Sequence, residues 1–335
     1  MSAFRSKDIS LLKLAIITDD LTCVCLAQEC KVMSVTPWNW RAVFSLWRPD
    51  ILFVESAWTG HRASWKYGIA AYPDYPERTN TKLARVVAAA RNAGIPAIFW
   101  NREDGVHFER FIDSAKLFDR VLTVDENMIP RYRAALGPDA QLDVMIFAAS
   151  PALHSPSMQE PARRAAFVGS YSSEVHTARG VWQNAMFEAA ELIGITAYDR
   201  NSGRMPAHNR YPDRPWMEVR QAVPHSKTAD IYRSHAINLN VNTITDSSSA
   251  FSRRLVEILA CGSLALTNPT PAVTKLFGDY CVVTDCAEEA KELFARVACD
   301  GLSKPERDQA KAGAEYVRKH HTWHHRLEQI LQMTA

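Results

Sequence analysis

Two charged residues in the second half of the chain are spaced to bind an anion together with hydroxyl groups. They lie in residues 243–267, TITDSSSAFSRRLVEILACGSLALT, where hydroxyl residues lead into an amphipathic helix, a glycine and a short apolar strand. The apolar face of that helix, predicted to meet the core, carries Phe251, Leu255, Ile258 and Leu259. Arg254 and Glu257 lie on a different face, near the start of the helix, where free N–H groups attract anions. They are therefore predicted to hold the phosphate and sugar hydroxyls of a nucleotide. The alternative is a solvated face of an ordinary helix.

Small and hydroxyl residues after other predicted strands are further ligand candidates. The predicted strand AAFVG ends at Gly169, and Ser170 and Tyr171 follow it directly. A glycine there lets the backbone approach a phosphate and Arg179 could neutralise its charge, but a tight turn explains the glycine equally well. In the hydroxyl run, Asp246 would repel an anion and is expected to cap or turn the chain, while the serines, including Ser248 and Ser249, face the ligand.

A loop in the first half gathers three ionisable groups that suit general-base chemistry. The sequence NREDGVHFERF follows the fourth predicted strand and contains Glu103, Asp104 and His107. If the following helix begins early, the Asp104 carboxylate could orient the His107 ring. Capping of that helix by Glu103 or Asp104 is the alternative.

The loop after the third predicted strand, VESAWTGHRASWKYG, resembles a surface for a sugar acceptor. It offers Glu55, Trp58, His61 and Trp65, and aromatic faces pack well on the C–H face of a sugar ring while polar groups bind hydroxyls. Core tryptophans are the alternative. The histidines of HHTWHHRL include His321 and His325 at metal-ligand spacing, but no carboxylate or cysteine accompanies them, so no metal site is predicted.

Composition restricts the class of protein. With 335 residues, 47% hydrophobic and 23% charged, the chain has the size of two ordinary soluble domains. A net charge of +2 gives no electrostatic footprint for nucleic acid. Arg5 and Lys7 precede an apolar run that Lys13 interrupts, which indicates a first strand, not a secretory signal. No apolar run reaches the ~18 residues of a membrane span, so any membrane contact is expected to be peripheral. The seven cysteines are expected to be reduced thiols in the cytoplasm.

Short β-rich runs alternate with helical patterns, which predicts stacked βαβ units. The first-half strands are LKLAIIT, KVMSVT, DILFVES, PAIFWN, RVLTVD and LDVMIFA, and the second half adds AAFVG, AINLNVN, LALT and YCVVTD. Residues 150–164 are polar and proline-rich and are predicted to link two domains, 1–150 and 151–335, with a terminal helix that packs back on the first. Residues 201–216 are predicted to form a long irregular loop facing the substrate, or a plain surface insertion. The fold class is therefore α/β, with two Rossmann-like doubly wound domains and a cleft between them.

In their order along the chain, these stretches resemble the GT-B glycosyltransferases, and more narrowly the CgeB-like, spore-maturation-protein branch of the bacterial enzymes. FVGSY, SHAINLNVN, FSRRLVEILACGSLALTNPTPAVTKLFGD and HHTWHHRLEQIL carry the resemblance in the second half, and VESAW and WNREDGVHFERF in the first. The resemblance implies a nucleotide-sugar donor bound by the second domain, with Glu257 on the ribose hydroxyls and Arg254 near the diphosphate. One departure is Ser249, which stands where many retaining members carry a glutamate.

The resemblance implies transfer of a sugar from a nucleotide sugar to a hydroxyl of a glycan, lipid-linked or small-molecule acceptor, as in polysaccharide biosynthesis. No cofactor or metal is expected, since positive groups and helix N-termini can neutralise the diphosphate. The expected donor-binding residues are Gly169, Ser170, Tyr171, Arg179, Asn242, Ser248, Ser249, Arg254 and Glu257. The alternatives are a nucleotide-sugar epimerase of the same architecture and a binding protein without catalysis.

Overall fold

The computed structural model describes residues 8–201 and 207–334. Arg5, Lys7 and part of the predicted loop 201–216 lie outside the described residues. The chain divides into two compact units, one comprising Met1–Phe147 and Trp323–Ala335, the other Ala148–Thr322. The first division falls three residues before the predicted boundary, and the terminal segment is grouped with the first unit.

The first unit contains a six-stranded parallel sheet. Its strands are β1 (Lys13–Ile17), β2 (Lys31–Ser34), β3 (Ile51–Glu55), β4 (Ala97–Asn101), β5 (Arg120–Thr123) and β6 (Gln141–Val144), in the order β2-β1-β3-β4-β5-β6. The side chains of β3 are buried along its whole length, as expected for a central parallel strand covered on both faces. The predicted last strand, LDVMIFA, ends at Val144, four residues early.

The first unit contains helices from the first half of the chain and the last helix of the chain. They are α1 (Asp20–Leu26), α2 (Trp40–Ala42), α3 (Thr81–Asn92), α4 (Phe108–Ala115) and α5 (Ile129–Leu136). The last helix of the chain, Trp323–Thr334, also belongs here: the Trp323 ring meets that of Trp100 edge-on at 5.6 Å, and Arg326 Nε donates to the Ile146 carbonyl at 2.8 Å. Burial of the Arg326 guanidinium lowers its pKa to about 10.

The second unit contains another six-stranded parallel sheet. Its strands are β7 (Ala162–Gly169), β8 (Ile195–Asp199), β9 (Met217–Gln221), β10 (His235–Asn240), β11 (Leu264–Thr267) and β12 (Val282–Val283), in the order β12-β11-β10-β7-β8-β9. β8 and β9 were not predicted. The two parallel sheets with their helices confirm the predicted α/β class.

The helices of the second unit are α6 (Thr177–Ala189), α7 (Thr228–Ser234), α8 (Arg253–Ala260), α9 (Pro271–Phe277), α10 (Ala287–Asp300) and α11 (Lys304–His320), and the final helix of the chain, in the first unit, is α12. Short 3-10 turns lie at 9–11, 61–63, 126–128, 207–209, 225–227 and 278–280, and a π-helical turn at 43–47. None of the helices in the described part of the chain is long and apolar enough to cross a membrane.

The segment predicted as a linker is not a free tether. Residues 162–164 belong to β7, and both Ser150 and His154 are buried within the second unit. The polar, proline-rich composition concealed this packing because a few buried anchors suffice to hold such a segment against a domain.

Candidate functional site

Arg254 lies where the carboxyl end of β7 meets the start of α8. Its Nε donates to the Val168 carbonyl at 2.6 Å, its Nη1 is 3.4 Å from Asn240 Oδ1, and its guanidinium lies over the Phe167 ring, 4.6 Å from the centroid. Gly169 is directly alongside, so the structure brings together two residues that lie 85 positions apart in the sequence. The alternative of a solvated helix face is wrong for Arg254.

The guanidiniums of Arg254 and Arg179 give this corner its positive charge. Burial lowers the pKa of Arg254 to about 10, and the neighbouring Arg179 acts in the same direction. Arg179 donates to the Ser170 carbonyl at 2.9 Å, and burial lowers its pKa as well. Among the described residues, neither guanidinium has a carboxylate within ion-pair distance, so the site favours binding of an external anion.

The side chain of Asn242, a predicted donor-binding residue, is buried and hydrogen-bonded within the protein. Its side-chain nitrogen donates to Thr267 Oγ1 at 3.1 Å and to Asn268 Oδ1 at 3.0 Å, and its Oδ1 accepts the Ser252 N–H at 2.7 Å, directly before α8. The residue is 1% exposed. These bonds fix the start of the helix that presents Arg254.

The other predicted donor-side residues divide between surface and core. Ser170 is half-buried beside Gly169, and Ser248 is half-buried and accepts a hydrogen bond from Lys275 Nζ at 3.3 Å. Ser249 is buried against Ser247. The Tyr171 ring is buried among the core aromatic residues and its hydroxyl pairs with Asn184, so its contact with a donor stays a prediction.

Glu257 is buried one turn along α8 and is held by three side chains. Its Oε1 lies 2.8 Å from His225 Nε2 and 3.0 Å from Arg253 Nε, and its Oε2 lies 3.5 Å from the Tyr232 hydroxyl. Burial alone would raise the pKa of this carboxyl, but Arg253, His154 and His225 outweigh burial and lower it. Glu257 is therefore an anion at neutral pH, and a ribose contact through Oε1 requires displacement of His225 or Arg253.

Glu257 also belongs to the one group of His, Cys, Asp or Glu residues in the described chain that has metal-ligand geometry. His154, His225 and Glu257 each offer one ligand atom within 4.8 Å of the others. Burial lowers the pKa of His154 to about 4, so its ring is neutral. The Arg253 guanidinium already occupies Glu257 Oε1, however, and its charge opposes a cation there.

In the first unit, the Asp104 carboxyl group is buried and hydrogen-bonded to three side chains, and it is not exposed as a base would be. It is 2% exposed and accepts hydrogen bonds from Asn101 Nδ2 at 2.7 Å, Thr123 Oγ1 at 2.7 Å and the Tyr132 hydroxyl at 2.8 Å. Burial raises its pKa to about 7. α4 begins only at Phe108, so the predicted helical pairing of Asp104 with His107 is wrong.

Two of the predicted acceptor residues are also part of the interior. Trp65 is 2% exposed and its indole N–H donates to the Val35 carbonyl at 2.7 Å, which makes it a core tryptophan. Glu55 is fully buried: its Oε1 accepts the Asp19 N–H at 2.6 Å and lies 3.5 Å from Arg102 Nε. Both side chains are engaged within the protein, and their contact with an acceptor stays a prediction.

The remaining first-unit candidates lie near the surface. Trp58 and His107 are half-buried and their rings meet edge-on at 5.2 Å. Glu103, with 25% of its side chain exposed, lies 3.9 Å from Arg102.

His61 Nδ1 pairs with Asp20 Oδ1, so the carboxylate–imidazole pair predicted for Asp104 and His107 exists instead between these two residues. His61 is followed by two non-glycine residues with left-handed φ values, Arg62 at 51° and Ala63 at 59°. Such strained backbone persists where surrounding structure fixes a side chain in place.

The sequence interpretation missed the partners of Glu257. Arg253 precedes it by four residues, a helical spacing that was visible in the sequence. His225 and His154 are 32 and 103 positions away along the chain, and no local pattern connects them to α8.

Part of the chain is similar to a known protein family. Residues 179–332 match a family model described as glycosyl transferase-like. Among curated proteins, none has a matching sequence.

Solved structures resemble the chain over nearly its whole length. An alpha-glucosyltransferase in complex with UDP and a 13-mer DNA has 10% identity and a TM-score of 0.62, over 96% of this chain and 99% of that one. Anabaena HepE in complex with UDP-glucose has 11% identity and a TM-score of 0.59, over 96% and 99%. Sucrose-phosphate synthase from Thermosynechococcus elongatus has 10% identity and a TM-score of 0.57, over 96% and 98%. The chain thus has the GT-B fold with two Rossmann-like domains, and its residues 179–332 match the glycosyl transferase-like family.

Proposed function

We propose that this protein transfers a sugar from a nucleotide-sugar donor to a hydroxyl group of an acceptor. The observation that carries the proposal is the half-buried guanidinium of Arg254 beside Gly169 at the start of α8, which forms no ion pair with a carboxylate in the described part of the chain. A nucleoside diphosphate supplies the negative charge that this corner lacks, and that charge grows on the leaving group as the bond to the sugar breaks. Because similar structures are described in complex with UDP or UDP-glucose, UDP-sugars are the first donors to test.

The roles of individual residues follow from their environments. Arg254 and Arg179 neutralise the diphosphate, Gly169 and Ser170 let the backbone approach it, and Glu257 binds the ribose hydroxyls after exchange of a protein partner. On the acceptor side, His61 takes the proton of the attacking hydroxyl while Asp20 orients its ring, and Trp58 packs against the acceptor sugar. Glu103 and His107 remain the second choice for the base.

We propose that the reaction needs no metal ion, because two guanidiniums and the α8 N-terminus supply the positive charge that a metal would otherwise provide. EDTA treatment is therefore expected to leave turnover unchanged. We also propose a cytoplasmic bacterial enzyme of the CgeB-like branch that acts in polysaccharide biosynthesis, with a sugar, lipid-linked or other small-molecule hydroxyl acceptor and at most peripheral membrane contact.

Incubation with a panel of nucleotide sugars, with and without candidate acceptors, tests the proposal. Nucleoside diphosphate released only in the presence of an acceptor supports transfer. An isomerised donor would instead indicate an epimerase, and tight donor binding without turnover a binding protein. Donors are first selected by the thermal stabilisation that they confer on the full chain.

A further inference from the structure

The second unit contains a cavity of about 670 Å³. It lies at the amino ends of the strands, whereas Arg254 and Gly169 lie at the carboxyl ends. It is lined by residues at the amino ends of β10 and β11, His235 and Leu264, by the end of α8, by residues 151–161 and by one face of α11. Gly169 and Asn240, in contrast, mark the carboxyl ends of their strands. The volume falls in the range of sites for small molecules.

Most of the cavity surface is apolar. The segment after Ser150 contributes Pro151, Pro156 and Met158, and Met158 is fully exposed. The opposite wall includes Ala310 and Ala314 of α11, whose small side chains leave the space open. An accessible apolar wall of this kind favours a ligand with a hydrocarbon body.

The charged residues of the lining are predominantly basic. The lining has four basic residues, Arg233, Arg307, Lys311 and Arg318, and two acidic residues, Glu160 and Glu315. Three of the four basic residues lie on α11, and in the described part of the chain Lys311 and Arg318 take part in no ion pair. Arg233 is different, because it pairs with Asp230 at 2.6 Å. Two cationic side chains are thus available beside an apolar wall.

A buried polar group also lines the cavity. His154 is 2% exposed; its Nε2 lies 3.4 Å from Thr228 Oγ1, while its Nδ1 has no hydrogen-bond partner among residues 8–201 and 207–334. An unpartnered buried nitrogen is costly unless a ligand or solvent satisfies it. This nitrogen gives the cavity a hydrogen-bonding point in addition to its apolar wall and its basic residues.

We propose that this cavity binds an amphipathic anion, a small molecule with a hydrocarbon body and one carboxylate or phosphate group. The hydrocarbon covers the wall of prolines, Met158 and alanines, and the anionic group is neutralised by Lys311 and Arg318. The cavity is separate from the proposed donor site at Arg254 and Gly169, so the proposal does not depend on the proposed transfer of a sugar.

Calorimetry on the full chain with four probes tests this site. Decanoate and decyl phosphate should bind saturably, decanol at least about tenfold more weakly, and inorganic phosphate undetectably, because both the body and the charge are needed. The tighter of the two anions identifies the head group. Equal binding of decanol, or no binding of either anion, would overturn the proposal.

Charge-reversal variants locate the site. Lys311→Glu and Arg318→Glu should each weaken binding of the tighter anion by about tenfold or more, whereas Lys319→Glu, an exposed lysine of the same helix outside the lining, should not. Ala314→Phe should abolish binding by filling the cavity, with circular dichroism and a retained cooperative thermal unfolding transition as checks that the unit is folded. An equal loss in the Lys311 and Lys319 variants would show non-specific attraction and overturn the site.

Discussion

A methyl group added to Gly169 would lie 2.7 Å from Nη2 of Arg254 and 2.9 Å from the Phe167 ring. The glycine at the end of β7 is therefore required because the guanidinium of α8 occupies the space of a side chain. This contact ties the first strand of the second unit to the helix that presents the proposed diphosphate-binding charge.

Gly169→Ala should displace Arg254 and weaken binding of UDP, and it should lower the free energy of unfolding by roughly 1–3 kcal/mol, the usual range for overpacking. Calorimetric titration with UDP measures the loss, and thermal unfolding measures any accompanying destabilisation. Gly278→Ala is the matched control, because the nearest atom to a Cβ there is 4.0 Å away. Equal UDP affinity in both variants would separate Gly169 from the site.

Arg254→Ala should lower turnover by about a hundredfold and UDP-sugar affinity by less, since the charge that it meets increases in the transition state. Steady-state kinetics at saturating donor provide the measurement. Arg220→Ala serves as control, because Arg220 is exposed and its guanidinium contacts Glu218 and Tyr198, away from Arg254. Unchanged turnover in Arg254→Ala would leave this arginine with a purely structural role.

Glu257→Gln should weaken UDP binding by about 2 kcal/mol, the scale of a lost charge-assisted hydrogen bond. It should also lower the thermal stability, because Arg253 and His225 lose their anionic partner. Tyr232→Phe is the control, since its hydroxyl is 3.5 Å from Oε2 and contributes little.

A nucleotide without ribose hydroxyls separates the two roles of Glu257. Wild type and Glu257→Gln should bind 2′,3′-dideoxy-UDP with similar affinity, because the hydroxyls that the carboxylate accepts from are missing. If the variant loses affinity for UDP and for the dideoxy nucleotide equally, the effect arises from the altered protein and not from a ribose contact.

Asp104→Asn should flatten the pH dependence of stability. The pKa of Asp104 is raised by burial from 3.8 to about 7, so the folded state retains a proton that the unfolded state releases. That contribution is complete below pH 4 and is lost as the pH rises toward 7, by on the order of 4 kcal/mol at most. Urea unfolding between pH 4 and 8 measures it, and parallel curves for wild type and variant would contradict the prediction.

The local patterns in the sequence predicted most strands because buried parallel strands are rich in apolar residues, as in β3, where four apolar residues follow one another. β9 escaped because it is an edge strand with four exposed side chains out of five and carries no apolar pattern. The donor corner was partly predictable, since Arg254 and Glu257 share one helix. The Asp20–His61 pair spans 41 residues, and the depth of Asp104 depends on side chains up to 28 positions away, so only the tertiary structure reveals either.

His61→Ala should reduce turnover by roughly a hundredfold or more while UDP binding stays normal, because the residue acts on the acceptor hydroxyl and not on the nucleotide. Asp20→Asn should reduce turnover by a smaller factor, since its carboxylate orients the ring through Nδ1 and leaves Nε2 to take the proton. His208→Ala is the matched control, because this histidine also lies beside a carboxylate, that of Glu174 at 3.4 Å, but belongs to the second unit. Should His107→Ala cause the loss while His61→Ala does not, the base lies on the loop before α4; should neither affect turnover, neither His61 nor His107 is the base.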